Sequence, residues 1–277
     1  MWSSKDIYYI SDSTGILIGN LGQALLCQFP EISFHEEKIP YVRTLKEAQK
    51  TLEYILEKSR GRRPIIFSTI MDLEIRNLFR APEVEFFDAF DYFLDPLENC
   101  LEAKALRVPG FSHHGDMMAM HKRVEAIHYC LEHDDGTKAN EFEEADVILL
   151  GVSRAGKTPV SVYLATQMGL KAANFPLTDE FLREKRLPES VVLNLKRAVA
   201  LTTTPEMLHS IREKRYPDSK YAKLTTCIEE VQMAEELFHQ HRIPVISSAG
   251  KSIEEIATQI AQEIGLARKP GNGIPRF

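Results

Sequence analysis

The stretch GVSRAGKTPVS, residues 151–161, follows directly on the apolar run DVILLG, residues 146–151. Its glycine, lysine and hydroxyl residues satisfy the pattern G-x-x-x-x-G-K-[ST] at Gly151, Gly156, Lys157 and Thr158. This pattern is informative where a buried strand enters the loop and a helix leaves it, and the flanking apolar residues meet that condition. The sequence therefore predicts a phosphate-binding loop inside an α/β domain.

The residues of this loop have distinct physical roles in holding phosphate. The two glycines permit positive φ and close backbone approach, so that N–H groups can surround an anion at a helix N-terminus. Lys157 adds a point charge for the terminal phosphate oxygens, the hydroxyl of Thr158 can bind Mg²⁺, and Arg154 is a second candidate phosphate contact. We predict that a nucleotide contacts Gly151, Val152, Ser153, Arg154, Ala155, Gly156, Lys157 and Thr158.

A carboxylate at the end of another apolar strand usually completes such a site by holding Mg²⁺. The strand candidates AVALTTT, residues 198–204, and IPVISS, residues 243–248, end in hydroxyl residues instead. Asp134 and Asp135 of the segment HDDG stand shortly before the strand that enters the loop. They are candidates for metal binding or for deprotonating an acceptor hydroxyl, and a charged turn that closes a helix is an equally weighted alternative.

Two other segments each allow a functional and a structural interpretation. SDSTG, residues 11–15, lies between a predicted strand and a predicted helix, where α/β folds bind ligands. Ser, Asp and Thr are also the preferred helix caps, and we favour the cap. Arg212 and Arg215 could offer charge to an anion, but a solvated helix face is the favoured interpretation.

Length and composition limit the class of protein. The 277 residues are 44% hydrophobic and 27% charged, as in globular proteins, and the length suits two domains. A net charge of −6 argues against a general nucleic-acid binder. The cysteines lack CxxC spacing and no apolar run approaches the length of a membrane span, so we expect a cytoplasmic protein with reduced thiols.

The alternation of apolar runs with helical patterns predicts βα units on both sides of a linker. Residues 7–11 and 64–70 indicate strands, and the helix over residues 44–59 opens with capping-box spacing. Residues 107–118 indicate a linker, followed by a helix over residues 119–132. That helix has one predicted apolar face of Met120, Val124, Ile127 and Leu131. We predict an α/β fold with an N-terminal α/β domain, residues 1–105, and a C-terminal P-loop kinase-like domain with a mostly parallel sheet, residues 106–277.

The chain also resembles a known family. The matching segments are YYISDSTG, QFP, RVEAIHYCLEHDDG, ADVILLGVSRAGKTPVSVYLA, GLKAANFPL, SIREKRY and SIEEIA. Together they resemble the bacterial phosphoenolpyruvate synthetase regulatory proteins, within a wider family that includes the pyruvate, phosphate dikinase regulatory proteins. The resemblance runs nearly end to end, and its most specific part is the order of the HDDG, GVSRxxKTP and AANxP blocks.

The resemblance implies a bifunctional serine/threonine kinase and phosphorylase. Family members use ADP, rather than ATP, to phosphorylate a threonine near the catalytic histidine of the target, and they reverse this with inorganic phosphate, releasing pyrophosphate. It implies a nucleotide site at residues 151–158 with Lys157 on the transferring phosphate, and it supports a catalytic role for Asp134 or Asp135. Many relatives have Ser where this chain has Gly156, and the glycine, together with AANFP and the final SIEEIA, resembles the synthetase branch. The segment SDSTG departs from the SDGT form of part of that branch.

Several alternatives stay open at this point. The same chemistry could act on pyruvate, phosphate dikinase, the loop could belong to a small-molecule kinase that uses ATP, or the chain could be a nucleotide sensor without catalysis. We also expect the N-terminal domain to dock the target protein; full modification of the intact target by a chain without residues 1–105 would contradict this. The sequence leaves the oligomeric state open, a homodimer included.

Overall fold

The computed structural model describes residues 4–109 and 117–265. The chain forms two compact units, Met1–Gly115 and Asp116–Phe277. This division falls later than the predicted boundary between residues 105 and 106. The predicted linker, residues 107–118, lies largely outside the described residues.

The first unit contains a four-stranded parallel sheet in the order β2-β1-β3-β4. Its strands are β1 (Ser4–Ser11), β2 (Ser33–Ile39), β3 (Ile65–Thr69) and β4 (Glu85–Asp88). Its helices are α1 (Ile16–Leu26), α2 (Leu45–Ser59), α3 (Leu73–Leu78) and α4 (Asp91–Leu101). The capping box of α2 is formed, because Thr44 Oγ1 accepts from the N–H of Glu47 and Glu47 Oε2 accepts from the N–H of Thr44.

Strand β2 has no counterpart in the sequence prediction. Its sequence SFHEEKI carries three charged residues and most of its side chains are exposed or half-buried. It lies at an edge of the sheet, where exposed side chains and charges are tolerated. The apolar pattern that marks central strands is therefore weak in this strand.

The second unit contains a second four-stranded parallel sheet, in the order β6-β5-β7-β8. Its strands are β5 (Val147–Val152), β6 (Ala172–Leu177), β7 (Ala198–Thr202) and β8 (Val245–Ser247). Its helices are α5 (Met117–Glu132), α6 (Lys157–Tyr163), α7 (Asp179–Arg183), α8 (Glu189–Val192), α9 (Pro205–Arg215), α10 (Leu224–His241) and α11 (Ile253–Glu263). The prediction of an α/β fold with a mostly parallel sheet is confirmed.

The predicted apolar face of α5 is wrong. Met120, Val124 and Leu131 are exposed, Ile127 alone of the predicted face is half-buried, and the helix buries Ala126, Tyr129 and Cys130 instead. Ala126 and Cys130 pack with Ala165 of the π-helical turn that continues α6, and Ile127 packs against them. The small side chains allow the two helical segments to approach closely, and Met120, Val124 and Leu131 remain on the outer side.

Helix α1 also buries small residues and leaves some of its large apolar side chains exposed. Gly19 and Gly22 face inward with Ile18, while Leu21 and Leu25 are exposed. A Cβ at Gly22 would lie 2.1 Å from the ring of Tyr9. The close contact between α1 and the sheet therefore requires glycine at this position.

The strand order places one loop of each unit at a comparable point of its sheet. In each sheet the first strand of the unit lies between the second and the third. The two strands that follow it in sequence therefore lie on opposite sides of it. In open α/β sheets the crevice at the carboxyl end of such a strand is the usual ligand site. The loops at these points are residues 12–15 after β1 and residues 153–156 after β5. None of the helices in the two described ranges is long and apolar enough to span a membrane.

Candidate active site

The segment Gly151–Thr158, here called the glycine loop, connects β5 to α6. A Cβ at Gly151 would lie 2.5 Å from the carbonyl oxygen of Leu201 in β7, so only glycine allows the chain to pass there. Arg154 and Gly156 adopt left-handed φ values of 75° and 98°. Left-handed residues in such a loop create the backbone concavity that binds anions. Arg154 is exposed.

Lys157 is the first residue of α6 and is buried beside the loop. Its Nζ donates hydrogen bonds to the carbonyl oxygens of Gly151, at 3.1 Å, and Val152, at 2.9 Å. Burial lowers the pKa of Lys157 to about 8, and the carboxylates of Asp135 and Asp134 act in the opposite direction. The loop therefore contains a buried amine that a nearby anion would keep charged.

The HDDG segment lies against the glycine loop. Residues Asp134–Gly136 form a 3-10 turn after α5, and Thr158 Oγ1 donates to Asp134 Oδ1 at 3.1 Å. Asp135 is exposed and has a left-handed φ of 51°. The structure thus joins two predicted site residues that are distant in sequence, and it leaves the carboxylate of Asp135 accessible to solvent.

Asn174 of β6 connects these groups and was not identified from the sequence. It is buried, its Nδ2 donates to Asp134 Oδ1 and lies 3.4 Å from Thr158 Oγ1, and its Oδ1 accepts from the N–H of Asp135 at 2.9 Å. Asn174 is the only polar residue of the strand AANFPL. A single polar side chain inside an otherwise apolar strand was the available signal.

The favoured interpretation of Arg212 as part of a solvated helix face is wrong. Arg212 is fully buried, and its Nη2 donates to the carbonyl oxygen of Ser153 at 3.0 Å and to Glu230 Oε2 at 2.6 Å. Arg215 is exposed. Arg212 lies four residues after the buried Leu208, so both occupy the inner face of α9.

The SDSTG segment of the first unit also differs from its favoured interpretation. The N-cap of α1 is Gly15, which has no side chain to cap the helix. Asp12 is buried, its Oδ2 accepts from the N–H of Met71 at 2.7 Å, and burial raises its pKa. The segment lines a cavity of about 740 Å³ together with Thr69 and the apolar side chains of Leu17, Phe90, Leu94 and Leu106.

Asp134 and Thr158 offer oxygen atoms that suit Mg²⁺. No group of three or more His, Cys, Asp or Glu side chains suited to a metal ion occurs in the part of the chain that the structure describes. Mg²⁺ is commonly held by one or two protein oxygens, with phosphate oxygens and water completing its octahedron. The donor set beside the glycine loop therefore fits Mg²⁺ bound together with a phosphorylated ligand.

Comparison with known proteins gives consistent matches over nearly the whole chain. A family model described as "Kinase/pyrophosphorylase" matches residues 7–261. A protein of Desulfotalea psychrophila that is named as a phosphoenolpyruvate synthase regulatory protein is 45% identical over 270 residues, which cover 98% of this chain and 99% of the relative. Similarly named proteins of Hahella chejuensis and Neisseria gonorrhoeae are 42% and 40% identical, covering 95% and 97% of this chain and 98% and 100% of the relatives.

Proposed function

The chain belongs to the kinase/pyrophosphorylase family, and from this membership we propose that it reversibly phosphorylates phosphoenolpyruvate synthase. In the forward direction it transfers a phosphoryl group from ADP to a threonine of that enzyme and switches it off. In the reverse direction it removes the phosphoryl group with inorganic phosphate and releases pyrophosphate. The observation that carries the proposal is the contact of Asp134 with Thr158, which brings a carboxylate to the glycine loop.

The glycine loop is proposed to hold the phosphates of ADP. Its backbone N–H groups and the ammonium of Lys157 neutralise charge on the phosphoryl group as it moves, which is the main requirement of phosphoryl transfer. Thr158 and Asp134 would hold Mg²⁺, which when bound supplies further charge neutralisation at the phosphates. Arg154, exposed within the loop, can approach the phosphates from the solvent side.

The two aspartates are proposed to have different roles. Asp134 already accepts hydrogen bonds from Thr158 and Asn174. Its carboxylate is therefore proposed to orient the glycine loop and to help hold the metal. The carboxylate of Asp135 is exposed, while its backbone N–H is fixed by Asn174. Asp135 is therefore the proposed general base that accepts the proton of the acceptor threonine.

The same groups can serve both directions. In the forward reaction the threonine oxygen attacks the β-phosphorus of ADP, its proton passes to Asp135, and AMP leaves. In the reverse reaction inorganic phosphate attacks the phosphothreonine phosphorus, pyrophosphate forms, and protonated Asp135 returns its proton to the leaving threonine oxygen. Both reactions gather anions at one place, so a cationic loop is needed in each.

The test is peptide mapping by mass spectrometry of phosphoenolpyruvate synthase, phosphorylated on its catalytic histidine, after incubation with this protein, Mg²⁺ and either ADP or ATP. We expect a new phosphothreonine with ADP and wild-type protein, and none with Lys157→Ala. Asp135→Asn should abolish the modification, whereas Asp134→Asn should retain a slow rate that responds to the Mg²⁺ concentration.

Each other outcome points to a different function. If the synthase stays unmodified, pyruvate, phosphate dikinase is the next protein to test. If both stay unmodified and ATP is consumed with a metabolite, the protein is a small-molecule kinase. If ADP binds and the partner's activity changes without a covalent phosphate, it is a nucleotide sensor. Full activity of Asp135→Asn would refute the proposed base.

A further inference from the structure

Three side chains of the second unit form a cluster beside Ser153, in the middle of the glycine loop, and two of them contact Ser153 directly. They are Arg212 of α9, Tyr221 of the short 3-10 turn before α10, and Glu230 of α10, and we call them the Arg212 cluster. All three come from the part of the chain that follows β7. The phosphates proposed to bind the loop are not required for any of their contacts.

The donors of Arg212 are largely occupied by protein groups. Nη2 donates to the carbonyl oxygen of Ser153 at 3.0 Å and to Glu230 Oε2 at 2.6 Å, and Nη1 donates to the carbonyl oxygen of Tyr221 at 3.1 Å. The side chain of Arg212 is fully buried. Both Nη groups of Arg212 therefore point at protein acceptors, and Nη2 fixes one backbone carbonyl of the loop, that of Ser153.

Tyr221 contacts Ser153 as well, at its hydroxyl. Its hydroxyl donates to Ser153 Oγ at 2.8 Å, and its ring lies 4.0 Å from the guanidinium carbon of Arg212. The stacked ring and the carboxylate of Glu230 hold the guanidinium in one orientation. Ser153 is therefore held through both its carbonyl and its hydroxyl.

We propose that Arg212 and Tyr221 are positioning residues that fix Ser153 and thereby orient the N–H groups of the glycine loop towards the phosphates of the nucleotide. Ser153 directly precedes Arg154, whose left-handed conformation costs free energy for a residue with a side chain. Two fixed points beside Arg154 keep the loop in this conformation before a ligand arrives. Preorganisation of this kind lowers the cost of binding, and the inference rests on the nucleotide site of the proposed function.

The test combines hydrogen exchange with ADP titration on the full chain. Tyr221→Phe removes only the tyrosine hydroxyl that donates to Ser153 Oγ. Ser153→Ala removes only the serine oxygen that accepts this hydrogen bond. For each variant we expect faster amide exchange at residues 153–157 without ligand and a Kd for ADP raised about fivefold, the fold-change of one neutral hydrogen bond. Because the two changes remove the same contact, the double variant should be no weaker than either single variant.

Tyr216→Phe is the matched control. Tyr216 is exposed and packs edge-on against Tyr221, so the loss of its hydroxyl should change neither measurement. Arg212→Lys keeps the charge but lacks the planar fork, and it should raise the Kd at least about tenfold. If Arg212→Lys fails to fold, the Tyr221 and Ser153 variants still decide the question.

The outcomes separate this inference from the proposed function. Unchanged exchange at residues 153–157 in Tyr221→Phe, or additive losses in the double variant, would overturn the positioning role. Absence of ADP binding by the wild-type chain would overturn the nucleotide site, and the exchange data from ligand-free protein would still show whether the Arg212 cluster fixes the loop.

Discussion

The segment SDSTG and the glycine loop lie at the end of the equivalent strand of two sheets with the same strand order, yet they bury charges of opposite sign. In the first unit the buried group is the carboxylate of Asp12, which accepts the N–H of Met71. In the second unit it is the amine of Lys157, which donates to two loop carbonyls. Burial disfavours the charged form of each, raising the pKa of Asp12 and lowering that of Lys157.

The comparison separates what the strand order provides from what the side chains provide. Strand order produces a crevice at the carboxyl end of the first strand in both units. The sign of the buried charge then decides which ligand suits the crevice, and only the second loop combines an amine with a backbone concavity for anions. Identifying a fold is therefore insufficient to identify the function of its crevice.

The strongest test of this contrast exchanges the buried charges for neutral groups. Lys157→Ala should lower the rates of both the forward and the reverse reaction at least about hundredfold, because a preorganised charge at the moving phosphoryl group is lost. Asp12→Asn keeps the acceptor for Met71 and should leave the Kd for ADP unchanged. Reaction rates would measure the effect of Lys157→Ala, and calorimetric titration with ADP would measure that of Asp12→Asn. Lys185→Ala, which removes an exposed lysine, is the control.

Two results would break the contrast. A normal reverse reaction in Lys157→Ala would show that the two directions use separate sites. Loss of ADP binding in Asp12→Asn would show that the loop after β1 also serves the nucleotide.

The glycines of the two loops provide the next test. Gly151→Ala should lower the free energy of unfolding by about 3 kcal/mol, because the new Cβ meets the backbone oxygen of Leu201. Gly15→Ala should cost only about 1 kcal/mol, since its Cβ would lie 3.8 Å from Ser11 Cβ and the cost is that of the left-handed φ. Urea denaturation would measure both, and equal losses would contradict the proposed backbone approach at Gly151.

Removing a polar side chain from the strand beside each loop should have a smaller effect, on the rate in the second unit and on stability in the first. Asn174→Ala should lower the rate of the folded enzyme about tenfold to hundredfold, because Asp134 and Asp135 lose their common partner. Thr69→Ala removes the hydrogen bond from Thr69 to Ser11 Oγ in the first unit and should cost about 1 kcal/mol of stability without a change in rate. If Asn174→Ala loses stability alone, its role is structural.

The second loop should also show a pH dependence, which can be measured in the wild-type protein without a substitution. The pKa of Lys157 is about 8 in the folded protein against an ordinary value of 10.5, so the folded protein releases this proton at lower pH than the unfolded chain. Stability should therefore rise from about pH 8 to 10.5. ADP affinity should fall as the pH rises above about 8, because the neutral amine no longer attracts the phosphates. Titrations and urea unfolding should show both trends in wild type, and Lys157→Met should lack them.

Local sequence patterns predicted the glycine loop, because a strand, a loop and a helix in succession specify most of its backbone. They also identified Asp134 and Asp135 as candidates, although the contact with Thr158 appears only in the folded chain. Asn174 and Arg212 were missed or misassigned because their partners come from distant segments. Their signals were a polar residue within a buried strand and a charged residue one turn after the buried Leu208.

The buried face of α5 was predicted less well, for a physical reason that α1 shares. Counting large apolar residues assumes that the largest side chains face the core. Both helices instead make their closest contacts through small residues, Gly22 in α1 and Ala126 in α5, and several of their leucines are exposed, namely Leu21, Leu25 and Leu131. Which face is buried depends on the element that packs against the helix, such as Tyr9 against Gly22 and Ala165 against Ala126. The spacing of apolar residues along the helix does not contain this information.

The strand order has a consequence for protein synthesis. Strand β5 leaves the ribosome before β6 and β7, which become its neighbours on either side. The glycine loop is translated before Asn174, Arg212, Tyr221 and Glu230, the residues that contact it or its partners in the finished fold. The contacts around the glycine loop can therefore be completed only after residue 230 has been made. A truncated translation product can contain the whole loop sequence and still lack the contacts that fix its conformation.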